Sequence, residues 1–150
     1  MERALAVIRN DSDQTKSLIR EAGEIAAGTG ADLYLLHVLP EEEYEDIMSS
    51  RLESDGKSFP LDEAEMEAEH FATQVGHKSL EGIDVEYEVL GTVGREETAI
   101  LDVADERDCD HVFISGRKRS PSGKALFGDL TQRILLNFEG RVTVQLHEEE

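Results

Sequence analysis

The sequence predicts an α/β fold: one doubly wound, five-stranded parallel sheet with strand order 3-2-1-4-5. Short apolar runs alternate with segments of helical period from end to end, the pattern of right-handed βαβ units. Three of the five runs are apolar on both faces, as central parallel strands are, and two alternate, as edges do. The chain has 150 residues, the size of one domain, so a single sheet has to hold all five runs.

The first run, residues 3–8, is continuous and apolar: Ala4, Leu5, Ala6, Val7 and Ile8. A polar loop follows, in which Ser12 or Asp13 can cap a helix. Leu18, Ala22, Ile25 and Ala26 then recur at helical spacing, and Gly28 and Gly30 end that helix. Residues 32–39 form a second two-faced strand, stopped by Pro40. Residues 41–60 begin with the charge run Glu41, Glu42, Glu43, Glu45 and Asp46, and are expected to be a solvated acidic insertion. A helix resumes near Leu61 with Ala64, Ala68, Phe71, Ala72 and Val75 on one face. Residues 84–90 alternate, Val85, Tyr87 and Val89 against Glu86 and Glu88, as an edge strand does. Gly91 and Gly94 then bracket a turn. A third helix covers about 96–107, with Ile100, Leu101 and Ala104 inward. Strand four is 111–115, helix four about 129–138, and the alternating strand five 142–146.

In the order 3-2-1-4-5 the connections reverse between strands one and four. Open α/β sheets bind ligands beyond the carboxyl ends of the strands at such a reversal. The site is therefore placed between residues 9–13 and 115–129.

Composition narrows the partners. With 34 acidic and 15 basic residues the net charge is −19, which opposes nucleic-acid coating and docking on anionic membranes. No apolar run is long enough to span a bilayer and no signal peptide is visible, so a cytoplasmic location is expected. One cysteine, Cys109, allows no internal disulfide. Disorder would explain the acidity but not the regular apolar runs. A halophilic, haloarchaeal cytoplasm, where acidic surfaces keep proteins soluble, would account for both.

Four of the 15 basic residues fall between Gly116 and Lys124, the one basic island of the chain. Flanking glycines permit close backbone approach, and the following helix start offers free N–H groups. Either this loop holds an anionic phosphate or its cations neutralise neighbouring carboxylates. It is not a Walker A loop, since six residues separate Gly116 from Gly123-Lys124 and Ala125 follows. Nor is there a GxGxxG.

The opening strand and polar loop resemble the universal stress protein (UspA-like) family. So do His37-Val38, Val89-Leu90-Gly91 and the stretch from Asp110 to Arg117, and the resemblance runs over nearly the whole chain. It implies one UspA-like domain over 1–150, with an adenine-nucleotide alpha-hydrolase-like fold. It also implies a stress-response protein, commonly dimeric, some of whose relatives bind ATP. ATP binders in the family carry Gly-x2-Gly-x9-Gly-Ser/Thr after strand four. Here Gly116 matches the first glycine, Arg119 replaces the second, Gly128 matches the third with one residue fewer, and Asp129 replaces the hydroxyl. Gly123 is the candidate substitute for the missing glycine and Thr131 for the missing hydroxyl.

The resemblance thus implies a regulatory site for ATP or another adenine nucleotide. Gly116, Arg117, Lys118, Gly123, Gly128, Asp129 and Leu130 would cradle phosphate, and Asn10 and Val38 would face base and ribose. Asp11, Asp13 and Asp129 would hold any accompanying Mg²⁺, although solvated loop acids are the plainer reading. The alternative is a nucleotide-free member acting through protein contacts.

Catalysis is not expected. Ser115 lacks an elbow motif and a base, and no carboxylate pair is placed for acid–base work. His37 ends a central strand beside the crevice and reads as structural. His70 and His77 share a helix without a third ligand at metal spacing. Cys109 reads as inert packing. Strand five, with Val142, Val144 and Leu146, is an unprotected edge that a second copy of the chain would cover as a homodimer.

Overall fold

The computed structural model describes residues 1–118 and 128–148. In chain order the elements are β1 (Arg3–Val7), α1 (Asp13–Thr29), β2 (Asp32–Pro40), α2 (Glu41–Ser54), α3 (Leu61–Ser79) and β3 (Tyr87–Gly94). They continue with α4 (Glu96–Glu106), β4 (His111–Lys118), α5 (Asp129–Asn137) and β5 (Arg141–Glu148). The strands form one parallel sheet in the order β3-β2-β1-β4-β5.

Two apolar layers sandwich the sheet. On one face Ala4, Ala6, Ile8, Leu33, Leu35 and Phe113 meet Leu18, Ile19 and Ala22 of α1 and Ala72 and Val75 of α3. On the other, Leu5, Val7, Leu36, Val112 and Ile114 meet Ile100 and Ala104 of α4 and Ile134 of α5. Burial on both faces explains why β1, β2 and β4 read as continuous apolar runs. Ser12 caps α1, its side chain accepting from Thr15 N–H at 3.2 Å. Gly30 ends the helix in the left-handed region at φ 73°. Gly28 lies within the helix instead of ending it.

Two stretches differ from expectation. Much of the supposed acidic insertion is the helix α2, running from Glu41 to Ser54 with no buried residue of its own. Glu41, Glu42 and Glu43 of the charge run form its first turn, where carboxylates favour the positive end of the helix dipole. Phe59, just beyond it, is fully buried. Tyr44 Oη donates to the Phe59 carbonyl at 2.7 Å, which ties the helix to the connection that follows it.

β3 begins later and runs further than the apolar pattern indicated. Its residues Gly91 to Gly94 pair with His37 to Pro40 of β2 and do not form a turn. Gly91 sits directly beneath α3, where a Cβ would collide with the backbone of Glu69. A glycine that reads as a turn signal is thus a packing requirement within a strand.

Candidate functional site

β1 stops at Val7, whereas its neighbours β2 and β4 continue to Pro40 and Lys118. The short central strand leaves a slot at the carboxyl end of the sheet, where the order reverses. It holds a cavity of about 330 Å³. Asn10 and Val38 line its floor, and Ser115, Arg117 and His147 line the β4–β5 side.

The peptide of Val38 is the distinctive part of this slot. In a parallel ladder one residue points both N–H and C=O at the same neighbour, and the next residue points away. Asp32 N–H donates to Glu2 C=O at 2.9 Å, and Leu36 C=O accepts from Ile8 N–H at 2.7 Å. The even-numbered residues of β2 therefore face β1. Val38 continues that series past the last rung, so its N–H and C=O face the slot. Its side chain is buried.

Asn10 organises the loop. Its Oδ1 accepts from Ser12 N–H at 3.0 Å, from Ser12 Oγ at 2.6 Å and from Thr15 Oγ1 at 2.6 Å. That oxygen is spent, so Asn10 can offer a ligand only its NH₂ group.

Charges of both signs border the cavity. Arg9 is held by Glu96 at 3.4 Å. Glu43 of α2 lines the same wall. Arg117 is exposed. His37 also lines the cavity and contacts the carbonyl of Ile8 through Nδ1 at 2.6 Å.

The other expected site residues are placed less directly. Gly116 is buried in β4, where a Cβ would stand 3.1 Å from Val144 and 3.2 Å from Thr131. It serves close packing of β4 against α5 and β5 and does not line the cavity. Lys118 ends β4 opposite Glu148 of β5. Gly123 lies outside the described residues. Gly128 is the N-cap residue of α5, with no described atom within 4 Å of where its Cβ would be. Asp129 is the first residue of α5 and is exposed. Leu130 packs against the second apolar layer and not into the slot. Thr131 cannot replace the missing hydroxyl. It is fully buried, and its Oγ1 donates to the Ser115 carbonyl at 3.1 Å.

Of the expected residues, the cavity gathers Asn10, Val38 and Arg117. Arg9 and Ser115, inside the expected loops but given no role, also line it, as do Pro40, Glu43, Glu96 and His147, which were not expected. Glu43 was hidden in a charge run and Glu96 opens a helix remote in sequence, so neither carried a local signal. Among the described residues, no group of three or more His, Cys, Asp or Glu side chains could hold a metal ion.

A larger cavity, about 460 Å³, lies at the opposite end of the sheet between α4 and α5. Its lining includes Asp105, Asp108 and Glu139 and no basic residue. It is the poorer place for an anion. Cys109 borders it, with its thiol pushed up to about 11 by burial and by the charge of Asp110. That keeps the thiol protonated and unreactive, in keeping with a packing role.

A chain built on this topology, with its slot at the strand-order reversal, matches the universal stress protein family model over residues 1–144. The chain belongs to the universal stress protein family. One solved universal stress protein, from Archaeoglobus fulgidus, is 28% identical, with a TM-score of 0.61 over 96% of this chain and 97% of that one. A second from the same organism, in complex with dAMP, is 22% identical, with a TM-score of 0.56 over 96% of each chain. A universal stress protein in complex with cAMP is 16% identical, with a TM-score of 0.62 over 97% of this chain and 96% of that one. None of the curated proteins matches the chain. The family's adenine-nucleotide alpha-hydrolase-like fold is the one described above.

The slot suits a flat heterocycle with a donor and an acceptor on one edge, because the Val38 peptide offers the complementary pair. Arg117 beside it is a cation for an anionic tail.

Proposed function

We propose that this universal stress protein is a non-catalytic, cytoplasmic regulator that binds an adenine nucleotide in the slot beyond β1. The carrying observation is the Val38 peptide, whose N–H and C=O face the cavity instead of a strand. Adenine brings a ring-nitrogen acceptor beside an amino donor and can satisfy both. The cAMP and dAMP complexes of related proteins support the same ligand class. Arg117 and the start of α5 would meet the phosphate, with Mg²⁺ entering only as its companion. Asn10 NH₂ would face the sugar side.

The Glu43 and Glu96 carboxylates on the same wall favour a second reading, a nucleotide-free member that works through protein contacts. The two readings separate on purified protein. Denaturation and mass spectrometry would report carried nucleotide, and calorimetry with AMP and ATP at high salt would report binding. Stoichiometric nucleotide, or saturable heat that Gly128→Leu abolishes, is the expected result. No carried nucleotide and no heat would leave the protein-contact reading in its place.

The working unit is proposed to be a homodimer joined through β5. Among the described residues that strand pairs only with β4, and Leu146 on it is 47% exposed beside the half-buried Val142 and Val144. Leu136 of α5 adds an 82% exposed apolar side chain. Sedimentation should give twice the chain mass, and Leu146→Arg should halve it.

A further inference from the structure

The β1–β2 ladder ends one bond sooner than its register allows. After Ile8 N–H to Leu36 C=O, the next bond in the series would run from Val38 N–H to Ile8 C=O. Val38 makes no such bond. The Ile8 carbonyl is taken by the His37 imidazole, with Nδ1 at 2.6 Å. A carbonyl only accepts, so Nδ1 carries the proton and donates. Phe71 of α3 packs against the same ring, centroids 4.6 Å apart, and holds it over Ile8.

We propose that His37 is a positioning residue of the slot. By drawing the Ile8 carbonyl toward its ring it turns that group away from Val38 N–H and so holds the Val38 peptide open for a ligand. The identity of the ligand rests on the adenine-nucleotide reading, whereas the capture of Ile8 does not. The substitution His37→Phe would keep the aromatic packing against Phe71 and lose the donor. The substitution His37→Asn would place an amide NH₂ near the position of Nδ1.

The test uses the full chain at high salt, with amide exchange of Val38 and AMP titration measured together. In His37→Phe the freed Ile8 carbonyl should accept from Val38, slowing its exchange about tenfold and weakening AMP binding about tenfold, the scale of one hydrogen bond. His37→Asn should restore both toward the starting values. A Val38 amide that exchanges equally fast in His37→Phe would overturn the proposal, whatever AMP does. A slowed amide in a chain that never bound AMP upholds the capture of Ile8 and defeats the nucleotide reading instead. Should His37→Phe fail to fold, the imidazole nitrogen shifts of the unaltered protein decide. Protonation at Nδ1 supports the proposal, and protonation at Nε2 alone sinks it.

Discussion

The guanidinium of Arg51 lies over the ring of Phe59, 4.1 Å from its centroid. The same side chain reaches Glu63 at 3.3 Å and Glu67 at 3.7 Å on α3. A helix that buries nothing of its own is thus fastened at Phe59, by the Arg51 guanidinium over its ring and by the Tyr44 hydroxyl on its carbonyl. Removing the ring should be costly. Phe59→Ala deletes a fully buried side chain and should lower unfolding stability by about 3 kcal/mol. Arg51→Ala, which loses exposed ion pairs and a cation–π contact, should cost about 1 kcal/mol. Denaturant titration at high salt measures both. Equal effects from the two would show that α2 is held by charge and not by Phe59.

Two glycines of this chain should respond very differently to one added methyl group. Gly91→Ala forces a Cβ into the Glu69 backbone beneath α3 and should destabilise by about 3 kcal/mol, at the upper end for overpacking. Gly128→Ala meets no described atom and should cost no more than about 1 kcal/mol, the scale of an alanine at an N-cap. Thermal unfolding of the pair checks this. A neutral Gly91→Ala would mean that α3 stands off β3 in solution.

How far the sequence discloses this molecule follows from what each element buries. β1, β2 and β4 are covered on both sides, so their runs of Leu, Val, Ile and Ala were legible and fixed the strand order. α2 was not legible because it covers no core and leaves no apolar period. The far half of β3 was hidden because Gly91 and Gly94 look like turn residues when they are not seen beneath α3. The slot was located by topology alone. Val38 and Asn10 were found through the resemblance to the universal stress protein family, which matches them to its base- and ribose-facing positions. Glu96 was missed because a helix distant in sequence delivers it, and Glu43 because it sits inside a charge run. Gly116, the expected phosphate residue, turned out to pack β4 against Thr131, since a glycine gives one signal for two different kinds of closeness.

Acid should unfold the protein in two ranges. Asp110 accepts from the N–H groups of Glu2 at 2.9 Å and Arg3 at 3.3 Å, and these bonds lower its carboxyl below the ordinary 3.8. Its folded value is the depressed one, so its stabilisation is present above the unfolded value and disappears as pH falls through the folded value. Burial likewise lowers His111 below the usual 6.5. Its contribution is present above 6.5 and is lost as pH falls through the folded value, because the ring must charge where it is half-buried. Stability should therefore start to fall below about pH 6.5 and fall again below about pH 4. Asp110→Asn should flatten the lower limb and, because the Asp110 charge holds His111 up against burial, deepen the upper one. An unchanged lower limb would assign it to other carboxylates of this acidic chain.

The net charge of −19 sets the last prediction. Like charges on one small surface repel, and the repulsion is relieved when the chain expands. At about 0.1 M salt the Debye length is about 10 Å, so neighbouring carboxylates still sense one another. At about 1 M it is about 3 Å and most of that repulsion is gone. The few ion pairs available, such as Arg9–Glu96 and Arg107–Glu88, are partly exposed and add little for salt to remove. Urea unfolding midpoints should thus rise steadily from about 0.1 M to about 2 M KCl, the range in which screening becomes complete. AMP affinity, if carried chiefly by the Val38 peptide, should change far less over the same range. An affinity that collapses with salt would move the recognition from the base to the phosphate and to Arg117.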